Sequence, residues 1–76
     1  MIVREVEIHT EFIKLDQLLK FADVTSSGGE ARIFVAEGFV EMNGEIVSQR
    51  GRKIYKGMNI IVRLPDEESI DIRVKD

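Results

Sequence analysis

Arg50, Arg52, Lys53 and Lys56 fall within eight residues, Gln49 to Lys56, that contain no acid. Groups of this type and spacing hold the oxygens of polyanions. Arginine presents a planar fork of donors that matches phosphate, and lysine acts as a mobile point charge. The cluster stands against an acidic background, because the 76-residue chain carries 11 Lys+Arg and 14 Asp+Glu for a net charge of −3. Outside it, 7 basic residues face 14 acidic ones. A local positive field attracts polyanions whatever the net charge of the protein. A merely solvated turn is the competing reading, and charge alone does not separate the two.

Other residues extend this chemistry. If the segment is extended, Arg50 and Arg52 lie on the same side. Tyr55 alternates with Ile54, so Ile54 turns inward and Tyr55 outward, either to stack on a base or to pack at the rim. Lys14 and Arg32 are further cations for the same face, or partners of neighbouring acids. Gly28 and Gly29 at a helix start would let a phosphate approach free backbone N–H groups. Phe12, Phe21, Phe34 and Phe39 are read as core, and Met42 and Met58 as gap-fillers.

Catalytic chemistry finds little support. The chain has no Cys and one His, His9, which excludes a thiol nucleophile and a multi-histidine metal site. The acids are scattered, and no phosphate-cradling Gly-x-x-x-x-Gly-Lys motif is present. No enzyme activity, metal or cofactor is expected. The absence of cysteine fits a cytoplasmic protein. The N-terminus is charged too early for a signal peptide, and no apolar run reaches the length of a membrane span.

The elements that must position these residues follow from periodicity. Ile2, Val6 and Ile8 alternate with charged residues and predict a strand. Leu15, Leu18, Leu19 and Ala22 share one face of a helix from about Lys14 to Ala22, with Asp16 and Lys20 suited to its dipole. Ser27 and Glu30 have capping-box spacing for a second helix from about Gly29 to Glu37, which Gly38 should end in a left-handed conformation. Strands then dominate: Phe39–Met42, a two-residue turn at Asn43-Gly44, and an antiparallel return over Glu45–Val47. Lys56-Gly57 marks another turn, Asn59–Leu64 a strand, Pro65–Ser69 a polar loop, and Ile70–Lys75 a last strand. The expected fold is α+β, two short helices packed on a small antiparallel sheet with added N- and C-terminal strands, forming one domain over residues 1–76. The pairing of the terminal strands, within a chain or between two, stays open.

Lys14-Leu15-Asp16-Gln17-Leu18-Leu19, Ser27-Gly28-Gly29-Glu30-Ala31 and Gly38-Phe39-Val40-Glu41-Met42-Asn43-Gly44-Glu45, in that order, resemble the ribosomal-protein-S-four type RNA-binding domain, whose helix–helix–strand core is called the αL motif. The resemblance covers about Lys14 to Val62 and is closest to the short stand-alone bacterial proteins called YaaA-like or YbcJ-like. Two departures stand out. Gly28 and Gly29 replace a basic residue common after the serine, and Lys56-Gly57-Met58-Asn59-Ile60 replaces a Pro-Gly-Asp-x-Ile sequence.

The resemblance implies non-catalytic binding of structured RNA, ribosomal RNA or a ribosome-assembly intermediate, by shape and backbone. Its surface would comprise Lys14, Gly28, Gly29, Arg32, Asn43, Arg50, Arg52, Lys53, Tyr55 and Lys56. A ribosomal or assembly protein is a further possible partner. The alternative from another class is a protein–protein adaptor that uses the acidic surface or an open sheet edge.

Overall fold

In the computed structural model, which describes residues 1–65 and 67–76, the helices lie where the apolar periodicity puts them. Helix α1 spans Leu15–Phe21 and α2 spans Gly28–Ala36. Neither is long enough to persist alone in water, so packing must hold them. Leu15, Leu18 and Leu19 of α1 are fully buried, as is Ala31 of α2, whose small side chain lets the two helices approach closely.

Both helices end in the same way. After α2, Gly38 adopts φ 78°, its N–H donates to Val35 O, and the Phe39 N–H reaches back to Phe34 O. The Phe34 and Phe39 rings then meet edge to face at 5.9 Å, which adds the apolar contact typical of this Schellman termination. After α1, Asp23 takes the left-handed position with φ 63°, and Val24 N–H donates to Leu19 O. At the start of α2 half of the expected capping box forms. Ser27 Oγ accepts from the Glu30 N–H at 3.2 Å, while the Glu30 carboxylate accepts from the Ser26 hydroxyl at 3.4 Å.

Seven strands complete the fold: β1 Ile2–Glu7, β2 Phe12–Lys14, β3 Val40–Met42, β4 Glu45–Ile46, β5 Lys53–Tyr55, β6 Asn59–Val62 and β7 Ile70–Lys75. Five of them form one sheet in the order β1-β7-β6-β3-β4. β3 pairs antiparallel with both β4 and β6, and β6 antiparallel with β7. The Asn43-Gly44 turn carries the two positive φ values, 55° and 81°, that a tight I′ hairpin requires. The terminal strands pair with each other inside the chain, and they do so in parallel, from Ile2↔Ile70 to Glu7↔Lys75. The sheet is therefore mixed: an antiparallel body with one parallel edge.

Val40, Ile60, Val62 and Ile72 are fully buried and face the helices. Asp71 alternates with the apolar residues of β7 yet is buried, because β7 is internal to the sheet. Its carboxylate accepts from Arg73 Nε at 3.0 Å and Asn59 Nδ2 at 3.4 Å, which meets the cost of burying it. The expected loop Pro65–Ser69 contains Asp66, which lies outside the described residues. No helix is long and apolar enough to cross a membrane.

Candidate nucleic-acid interface

Strands β2 and β5 form a separate two-stranded ribbon, paired Phe12↔Tyr55, Ile13↔Ile54 and Lys14↔Lys53. A ribbon this short has no stability of its own. It is pinned by Ile13 and Ile54, which point into the core and are buried. Period-two alternation then forces Phe12, Lys14, Lys53 and Tyr55 onto the opposite face. There the Phe12 and Tyr55 rings lie 5.9 Å apart at 51°, and Lys53 Nζ sits 4.8 Å from the centre of the Phe12 ring. Two aromatic rings and two ammonium groups thus share one exposed surface.

The arginines join this surface by a route that alternation does not describe. Gln49–Arg52 is a turn, closed by the Arg52 N–H to Gln49 O, so Arg50 and Arg52 are not related as residues of an extended strand. The turn is held by α1. The Leu15 and Asp16 N–H groups donate to the carbonyls of Arg52 and Arg50 at 2.9 and 3.0 Å, and the Gln17 N–H donates to Asp16 Oδ1 at 2.8 Å. The free donors at the start of α1 are thereby met by the chain itself. The main chain of the basic loop caps the helix, and its side chains remain exposed at the Lys14 end of the ribbon.

Charge pairing divides the cations into two groups. On the main sheet and its turns, Arg63 pairs with Glu41, Arg73 with Asp71, Lys75 with Glu5, and Lys56 with Asp76. Lys14, Arg50, Arg52 and Lys53 make no ion pair among the described residues, so their field is not locally cancelled. Arg32 on α2, Arg4 on β1 and Lys20 on α1, all exposed, are likewise unpaired among the described residues.

The remaining candidate residues sit apart from the ribbon in the chain's architecture. Lys56 lies in the turn after β5, against the end of β7. Asn43 supplies the positive φ of the β3–β4 turn. Gly28 and Gly29 open α2, and a Cβ at Gly28 would meet nothing within 4 Å, so its backbone is approachable from solvent.

Three aromatic residues read as core lie outside it, Phe12, Phe21 and the half-buried Phe39, whose ring instead meets Phe34. Phe21 is 63% exposed, because it falls beside the apolar face of α1 rather than on it. Phe12 is half-buried, because β2 directs it outward. The signal for Phe21 was its place at the end of the stripe Lys14, Gln17, Phe21, an aromatic ring on an otherwise polar helix face. These residues, with Ile8, His9, Thr10 and Ile13 among others, line an open groove of about 430 Å³ beside the ribbon. His9 is exposed and stands 3.4 Å from Glu7.

Two short helices packed on a sheet, with a cation-rich ribbon at their corner, define a small α+β binding fold. The family model described as S4 domain matches residues 6–73, and the chain belongs to that family. It is 50% identical over 52 residues, 68% of this chain and 73% of that protein, to the "Probable ribosome maturation protein RlbA" of Bacillus subtilis (strain 168). It is also 32% identical over 71 residues, 93% of this chain, to an "Uncharacterized RNA pseudouridine synthase" of Aquifex aeolicus (strain VF5), of which the match spans 22%.

Proposed function

We propose that this protein is a non-catalytic RNA-binding module that acts on structured ribosomal RNA, free or in an assembling ribosome. The observation that carries the reading is the set of four cations, Lys14, Arg50, Arg52 and Lys53, that make no ion pair among the described residues and surround the half-buried Phe12 and exposed Tyr55 rings. Cations hold the backbone phosphates without regard to sequence, and the rings offer a surface on which bases stack. Arg32 and the open start of α2 extend the same chemistry to a second backbone segment. Membership of the S4 domain family supports the assignment, as does the ribosome maturation named for the Bacillus relative. The likeness to the synthase covers 22% of that protein and lends no support to a catalytic role. No basic helix of a length suited to a DNA major groove is present among the described residues, which favours folded RNA.

Fluorescence anisotropy tests this. Labelled ribosomal RNA fragments are titrated at low and moderate salt, with duplex DNA as control. Salt-sensitive binding to RNA, weakened by Arg50→Ala, Arg52→Ala and Lys53→Ala together, is the expected result. Equal binding to DNA, or indifference to the triple change, refutes it. The adaptor reading draws on the outer edge of β1, where Ile2 and Val3 are exposed beside unpaired backbone. It predicts salt-tolerant association with a protein that the same three substitutions leave intact.

A further inference from the structure

We infer that the groove beside the ribbon receives a single unstacked nucleobase, so that the RNA bound here carries a loop or bulge rather than an unbroken duplex. The inference rests on the RNA-binding reading above and assigns a second part of its surface. The groove is lined by the buried Ile8 and Ile13 and by Phe12 and Phe21, with the polar Glu7, His9 and Thr10 beside them. At about 430 Å³ it falls in the range of small-ligand pockets, about 300–1,000 Å³, but it is open rather than closed. Gln17 and Phe21 lie one turn apart on α1, and Lys14, the last residue of β2, immediately precedes its first turn.

That order matches a nucleotide. A cation for the phosphate comes first, then an amide that can both donate to and accept from a base edge, then a flat ring for the base itself. Lys14 belongs to the ribbon and to the groove alike, so a chain that lays its phosphates on the ribbon cations passes the groove mouth. Phe21 is the most exposed aromatic side chain in the protein at 63%, and stacking would remove that surface from water. A base in a duplex is stacked on both sides and cannot enter, which makes an unpaired nucleotide the occupant.

The test uses two probes: a hairpin RNA with 2-aminopurine in its loop, and the same stem as an uninterrupted duplex. Binding of the hairpin should quench the 2-aminopurine fluorescence. Phe21→Ala should abolish the quenching and weaken hairpin binding by roughly 5- to 150-fold, the effect of losing one base–aromatic stack. It should leave duplex affinity and the salt dependence unchanged, because no charge is altered. Phe21→Trp, which keeps a flat ring, should retain quenching. Exposure of the side chain means neither variant should shift the melting temperature, which circular dichroism checks. Salt-sensitive hairpin binding without quenching, or a Phe21→Ala effect equal on both probes, overturns the groove while the RNA-binding reading stands. If neither RNA binds, both readings are overturned.

Discussion

Replacing Arg50, Arg52 and Lys53 together by alanine removes three of the four cations at the ribbon that make no ion pair among the described residues, and leaves Lys14. Each cation that neutralises a phosphate adds about 0.7 to 0.9 to the slope of log affinity against log salt. Four such contacts give a slope near −3, so raising salt from about 50 to 200 mM should cost the wild type roughly 70-fold in affinity. With one contact left, the same change should cost roughly 3-fold. Folding should survive the substitutions, because α1 is capped by the carbonyls of residues 50 and 52, which alanine retains. The Lys53–Phe12 contact is the one packing interaction lost, worth about 0.5–1 kcal/mol at an exposed site. In a domain of this size that lowers the melting temperature by several degrees at most. The assay is anisotropy at four or more salt concentrations for both proteins, with melting curves alongside. A triple variant that folds and keeps the wild-type slope would refute the reasoning, since the phosphates would then be held elsewhere.

Three stability predictions follow from the helices. Ser27→Ala removes the hydroxyl that accepts the Glu30 N–H and should cost about 1 kcal/mol, read as a shift in the urea midpoint. Gly38→Ala should cost about 1–2 kcal/mol from its φ of 78°, with no clash, because the nearest side-chain atom to the new Cβ is Ile46 Cγ2 at 3.8 Å. Leu18→Ala opens a cavity at a fully buried position and should cost about 2–5 kcal/mol, enough to leave calorimetric unfolding broad and early.

The regular elements were legible because their signals are local. Apolar spacing placed α1 and α2 to within a residue or two, Ser27 and Gly38 marked the ends of α2, and Asn43-Gly44 fixed a hairpin. The ribbon was less legible. Three residues, Phe12 to Lys14, are too few for a period to show, and their partner lies 40 residues on. The conformation of Gln49–Arg52, left open between an extended segment and a turn, was hidden for a related reason. Its shape is set by the N–H groups of α1, a tertiary demand that nothing in the local sequence announces. Burial of Asp71 likewise depends on β7 lying inside the sheet. Of the candidate site, the cations and Tyr55 were visible as residue types. The pairing that leaves Lys14, Arg50, Arg52 and Lys53 unopposed, and the exposure of Phe21, required the fold.

The parallel pairing of β1 with β7 also sets the order in which the chain can mature. Its register joins positions 68 residues apart, and β1 is hydrogen-bonded to the sheet through β7 alone. During synthesis the first strand therefore waits for its sheet partner until the last strand has left the ribosome. Helix and hairpin contacts can form earlier, but closure is the slow, non-local step. A chain cut short within β7 would lose the anchor of β1 as well, so the sheet would be missing two strands rather than one.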